Sequence, residues 1–406
     1  MLTWIAPLIV FGLVVFVHEL GHFLAAKAAG VYAPRFSIGF GPALFRRRIG
    51  ETEYVLALLP LGGYVRMASR EDETMALIEG GGERTRGEVA TTSANASVKA
   101  VDDHAGAPAT DRDWDPEALQ PFGPKPVPEH RWFESKPLPA RLLILVAGVV
   151  MNVVLTFVVQ TGLIAGYGRA YLPAVVDSVI AGRPAAAAGV APGDSVFAVN
   201  GTPVRSWDEL VRQIRPAAGK VLTLDVVRDG TPRRIVVRPV STSRNSEITG
   251  AAERVGQIGA APRGKVMRER VGFGRAIALG ASTTVEMGTN VVTVVRGLFA
   301  GDVDASNLGG PLAIGQASVE AARNGAESLL NLIAFLSINI AIMNLLPIPI
   351  LDGGQILINV LEGIKGSSFS ARTREYILRT GVVAVLLLFA LVMYNDIRAL
   401  VARVLG

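Results

Sequence analysis

Cysteine is absent from this chain of 406 residues. Its absence excludes disulfides, thiolate zinc sites and cysteine nucleophiles, and leaves the redox compartment open. Histidine is almost as scarce, with only His18, His22, His104 and His130, so any histidine-based metal site draws on these four. Charge is also thin: 18% of residues are charged, against about 25% in soluble proteins. Half the residues are hydrophobic, and mean hydropathy is +0.39. These values argue against a wholly soluble globular enzyme, and the length allows roughly two to three domains. The net charge of +5, with a pI near 9.6, could suit a nucleic-acid binder. With this hydropathy the positive charge reads instead as membrane-flanking, and no nucleic-acid partner is expected.

Four long apolar segments are present, at residues 2–29, 142–165, 329–351 and 377–397. Each can supply the ~20 residues that cross ~30 Å of hydrocarbon. The first has no basic leader and no small-residue cleavage site ahead of its polar cluster, so it reads as a retained helix. Orientation follows from basic residues. Lys27, Arg35, Arg46, Arg47, Arg48 and Arg66 follow the first segment, and Lys136 and Arg141 precede the second. Lys365, Arg372, Arg374 and Arg379 lie between the third and fourth. Both loops therefore read as cytoplasmic, and the region 166–328 as outside.

Between the spans the composition changes. Residues 51–67 read as two short strands around a Pro-Leu-Gly-Gly turn. Residues 70–130 hold 13 acidic and 6 basic groups, a net of −7, which leaves +12 on the rest of the chain. With few large apolar residues this insert cannot bury a core and is expected to be disordered. Residues 171–240 read as a compact soluble domain, with β-rich runs at 174–179, 195–199, 221–227 and 234–240. Ser206-Trp207-Asp208-Glu209 is a capping box for a helix over 207–214. The expected organisation is 1–69, first span with hairpin; 70–130, insert; 131–170, second span; 171–262, soluble domain and extension; 263–328, membrane-associated linker; and 329–406, the last two spans.

The strongest chemical signal is His18-Glu19-Leu20-Gly21-His22. On a helix, positions i and i+4 share a face, so two imidazoles can bind one Zn²⁺ while Glu19 acts as general base. The motif ends an apolar span, where ionisable groups are costly and face a functional interior. A catalytic site needs a third protein ligand and an open position. Without cysteine the options are His104, His130 or a carboxylate. Both spare histidines lie in or beside the acidic insert. Asp352 is the better candidate: Pro347 and Pro349 break the third segment just before it, and broken backbone at membrane depth is tolerated where it lines a cavity. His18 lies ~24 Å below the outer start of its span, and Asp352 ~35 Å below the start of its own if fully helical. Both thus fall toward the cytoplasmic side.

These pieces together resemble the site-2 protease family of zinc intramembrane metalloproteases, in its bacterial RseP-like, single-PDZ branch. The carrying motifs are HELGHF at 18–23, GFGP at 39–42, PLGGYVRM at 60–67, RWFESKP and AGVVMN within 131–152, NLGGPLAI at 307–314, and NLLPIPILDGG at 344–354. The likeness covers the chain except the 70–130 insert. It implies a polytopic α-helical membrane protein with about four transmembrane helices, one extracytoplasmic PDZ-like α/β domain and a re-entrant β-hairpin. It further implies a zinc endopeptidase of the bacterial cytoplasmic membrane, whose active site faces the cytoplasmic side and cleaves membrane-spanning protein substrates. Anti-sigma factors after a first cut, or signal-peptide remnants, are the implied substrates. By residue matching, His18, His22 and Asp352 hold Zn²⁺ and Glu19 is the catalytic base. Asn344 and, on the hairpin, Tyr54, Val55, Leu56, Gly62 and Gly63 engage substrate. A zinc-holding scaffold and a metal transporter are the rival classes. The intact Glu19 weighs against the first, because structural zinc needs no base. The soluble domain and the single HExxH weigh against the second. Oligomeric state is not legible.

Overall fold

The computed structural model describes residues 2–69, 128–245, 252–303 and 309–405. Apart from 128–130, the acidic insert lies outside the described residues. The helices are α1 (Leu2–Ala28), α2 (Leu138–Tyr167), α3 (Pro184–Ala187), α4 (Trp207–Ile214), α5 (Phe273–Ala300), α6 (Pro311–Arg323), α7 (Ala326–Asn344), α8 (Asp352–Lys365) and α9 (Ala371–Leu405). Two compact units emerge, residues 1–156 with 309–406, and residues 157–308.

Among the described residues, four helices are long and apolar enough to cross a membrane: Ile5–Ala28, Leu138–Tyr167, Ala326–Asn344 and Arg372–Ala402. They correspond to the four apolar segments with one correction. The third helix ends at Asn344, not near residue 351. Pro347 and Pro349 have no N–H to continue the ladder, and each disfavours helical backbone in the residue before it. The chain therefore leaves α7 through a tightened turn, Leu345 and Leu346 N–H bonding Ile342 and Met343 carbonyls at 3.1 Å. It starts afresh at Asp352.

The first unit packs apolar helix faces against each other. Val10 and Val14 of α1 meet Ile333 and Leu336 of α7. Ala26 and Val31 meet Phe133, Ile144 and Leu145. The buried carboxylate of Asp396 on α9 accepts hydrogen bonds from Gly310, Leu312 and Ala313 N–H at 2.9, 2.9 and 3.3 Å. A carboxylate there satisfies orphan donors and the positive end of α6.

The β-region differs from the expected hairpin. Strands β1 (Arg35–Ile49) and β2 (Thr52–Arg66) both bend. Residues 35–38 lie between 53–56 and 63–66, and residues 45–49 pair with 52–56 across a turn at Gly50 and Glu51. The two runs expected to pair with each other are thus separated by a third, and Pro-Leu-Gly-Gly is not the turn. Period-2 patterning marks strands without naming their partners.

Glu51 ties this turn to the helices. Arg131 donates two hydrogen bonds to it, at 2.7 and 2.8 Å, and Lys27 a third. The Arg131 bonds hold its carboxyl down to about 2 against the opposing effect of burial, and Lys27 adds to the lowering. A depressed acid contributes stability above its unfolded value, and that contribution fades as pH falls toward the folded value. The Tm advantage of wild type over Glu51→Gln in detergent is therefore expected to be constant above about pH 5 and to shrink between 4.5 and about 2. A pH-independent difference would assign the role of Glu51 to shape rather than charge.

In the second unit, strands β3 (Arg169–Tyr171), β4 (Val176–Val179), β5 (Ser195–Val199), β6 (Thr202–Pro203), β7 (Leu222–Arg228), β8 (Thr231–Val237), β9 (Val240–Asn245), β10 (Ala252–Gln257), β11 (Ala260–Pro262) and β12 (Met267–Glu269) accompany α4. The main sheet has the order β6-β5-β7-β8, and β11 pairs with β4. Val176, Val199, Leu210, Leu224 and Val226 form its core. Ser206 caps α4 by accepting Glu209 N–H at 3.2 Å, while Glu209 reaches back to Arg205 N–H at 2.8 Å. The last run expected near 234–240 lies three residues earlier, because the Asp229-Gly230 turn closes directly onto β8.

Candidate metal centre

Helix α1 sets His18 and His22 one turn apart, with ring centroids 4.8 Å apart. Their Nε2 atoms lie 3.2 Å from each other. Asp352 Oδ2 lies 3.1 Å from the first and 3.3 Å from the second. Both histidines are buried, at 5% and 7% exposure. The His22 Nδ1–H donates to the Ile144 carbonyl at 2.8 Å. That bond fixes the tautomer and leaves a lone pair on Nε2. Asp352 Oδ2 is buried and makes no directed hydrogen bond. Three groups able to donate an electron pair thus converge, an arrangement that suits a cation. The donor set of two nitrogens and one oxygen, all within 4.8 Å, fits three-ligand catalytic zinc with one position open.

Close helix contact builds this cradle. A Cβ on Gly148 of α2 would lie 2.3 Å from His22 Nε2 and 2.8 Å from His18 Cε1, so only glycine lets α2 pass the imidazoles. Asp352 is aimed by the broken segment. A Cβ on Gly353 or Gly354 would stand 2.2 Å from the Leu345 carbonyl oxygen or 2.1 Å from that of Ile348. The loop folds back on the start of α8 and points its first residue at α1.

Glu19, next to His18, faces the sheet. It accepts a hydrogen bond from Val65 N–H. A Cβ on Gly63 would be 3.4 Å from Glu19 Cγ and 2.7 Å from the Ser37 carbonyl oxygen, so glycine brings this margin of the sheet against α1. Gly62 has φ +147°, and a Cβ there would meet the Phe40 ring at 2.4 Å. Tyr54, Val55 and Leu56 sit elsewhere, in an interior run paired on both sides, with Leu56 exposed, Val55 buried, and Tyr54 packed on Phe23 and Phe36. Asn344, at the end of α7, places Nδ2 2.9 Å from His18 Nε2. The site therefore gathers His18, Glu19, His22, Asn344, Gly63 and Asp352, but not residues 54–56. His130 stands exposed in a short turn, Glu129–Arg131, and His104 lies outside the described residues.

Sequence reasoning missed the α2 contribution, namely Ile144, Gly148 and Asn152. The available signal was Asn152 itself, a polar residue in the middle of an apolar span.

Residues 6–388 match the profile of peptidase family M50. The regulator of sigma-W protease RasP of Bacillus subtilis is 33% identical, with 98% of this chain and 99% of that protein covered. The zinc metalloproteases RasP of Bacillus licheniformis and Geobacillus kaustophilus are 31% and 32% identical, with at least 97% of each chain covered.

Proposed function

Because this chain belongs to peptidase family M50, we propose that it hydrolyses peptide bonds inside membrane-spanning segments of other proteins, as the second cut of a regulated cascade. It is a zinc metalloprotease with several membrane spans. His18, His22 and Asp352 are proposed as its zinc ligands and Glu19 as its base. The observation that carries the reading is the convergence of two buried histidines of an apolar, span-length helix with Asp352 at the start of α8, with the Glu19 carboxylate beside it.

Bound zinc supplies a Lewis acid that polarises the scissile carbonyl and acidifies water. Glu19 takes the proton from the attacking water and returns it to the departing amide nitrogen. A substrate helix hides its scissile amide in its own hydrogen bonds and must unwind first. The margin of β2 at Gly62 and Gly63, against Glu19, is proposed to receive it as an added strand, replacing those bonds. Residues 54–56 already have partners on both sides and serve as backing. The re-entrant placement of this sheet, the PDZ-like nature of 171–262 and its extracytoplasmic position belong to the same proposal. So do the bacterial cytoplasmic membrane as location and anti-sigma factors or signal-peptide remnants as substrates.

The test is reconstitution. The purified chain and a single-span substrate are placed in liposomes, and the products are mapped by mass spectrometry. A cut within the span, abolished by a chelator and restored by zinc, is expected. Cuts confined to water-exposed loops would overturn the intramembrane reading.

A further inference from the structure

The two imidazoles at the centre are held by different kinds of partner. His22 Nδ1 is fixed by a backbone carbonyl, that of Ile144, which no side-chain substitution removes. His18 Nδ1 instead faces the side-chain amide of Asn152, at 3.3 Å. Asn152 is fully buried. Its backbone is anchored, since its carbonyl accepts from Ser337 Oγ at 2.9 Å and from Thr156 Oγ1 at 3.0 Å. Thr156 Oγ1 also bonds the Ala334 carbonyl at 3.1 Å, which pins α2 to α7 at this level.

His18 presents Nε2 to Asp352, His22 and Asn344. A neutral imidazole that offers its Nε2 lone pair to a cation carries its proton on Nδ1, and that proton needs an acceptor. Amide oxygen and nitrogen are assigned from their partners, not from shape. The far side of the Asn152 amide has no polar partner, Oδ1 being buried and unbonded as placed. The His18 contact alone therefore decides the orientation, and a half-turn of the amide converts two facing nitrogens into an N–H···O bond.

We propose that Asn152 is a positioning residue for the metal centre: its Oδ1 accepts the His18 Nδ1 proton, fixing the tautomer and ring plane that leave Nε2 free for the cation. This rests on the zinc reading above, but it fails separately from it, because every variant below keeps His18, His22 and Asp352. Full-length wild type, Asn152→Asp, Asn152→Leu and Asn152→Ala are purified in detergent. Zinc affinity is measured by chelator competition, and cobalt substitution reports ligand geometry through its d–d absorption. Loss of the acceptor in Asn152→Leu and Asn152→Ala is expected to weaken zinc binding by about 10- to 100-fold, the effect typical of an outer partner. Asn152→Asp retains an acceptor and is expected to stay within a few-fold of wild type with an unshifted cobalt spectrum. Thr156→Val, which loosens the same helix contact but leaves the amide, is expected to lower thermal stability and spare zinc affinity. Wild-type affinity in either the Leu or the Ala variant would overturn the proposal. So would an equal loss in Asn152→Asp, because a purely packing role does not distinguish an acceptor from its absence.

Discussion

Replacing Glu19 with Gln is expected to leave one zinc per chain and to lower kcat by about 10²- to 10⁴-fold, the range assigned to a positioned general base. Gln matches Glu in size, and its carbonyl oxygen can still accept the Val65 N–H that holds the side chain against β2. What it cannot do is take a proton from water. The imidazoles and Asp352 are untouched, so metal content separates a chemical loss from a structural one. Zinc is measured by elemental analysis on the purified protein, and cleavage in the reconstituted assay. Equal cleavage in the variant would remove Glu19 from the mechanism. Loss of zinc together with cleavage would make it part of the metal scaffold.

Asp352→Ala is expected to have the largest effect on the metal itself. The buried Oδ2 is the single oxygen among the converging donors and lies 3.1 and 3.3 Å from the two histidine nitrogens. Its removal leaves two neutral ligands, one short of a catalytic zinc site, and removes the negative charge that offsets the ion. The affinity loss should therefore exceed the about 10- to 100-fold typical of outer partners. Asp352→Asn keeps the shape but not the charge, and is expected to fall between. Because Asp352 also opens α8, where a carboxylate favours the positive helix end, unfolding in the apo state is measured alongside. A shared stability loss with unchanged zinc affinity would move the third ligand elsewhere.

Much of this site could be read in the chain. HExxH places two imidazoles on one helical face through local geometry alone, and the proline pair before Asp352 announces a broken helix. Four spans follow from apolar runs. The second unit's strands and its capped helix follow from turn residues and period-2 patterning, with one strand shifted by the Asp-Gly turn. The errors fall where pairing is non-local. The run 51–67 contains strand segments, yet residues 35–38 separate them. Leu, Ile and Pro keep the third stretch apolar through residue 351, although its helix ends at Asn344.

The amino-acid sequence by itself determined the paired histidines, the carboxylate beside them, four apolar runs of spanning length and their basic flanks, because each depends on residue chemistry and on spacing within one turn or one span. Tertiary structure alone decided that residues 148, 152, 344 and 352 meet the pair 18 and 22. A polar group in an apolar span must find a partner, but nothing in local spacing says which helix supplies it. That choice is made where glycines let α1 and α2 come within contact distance and where the broken segment turns Asp352 back toward the imidazoles.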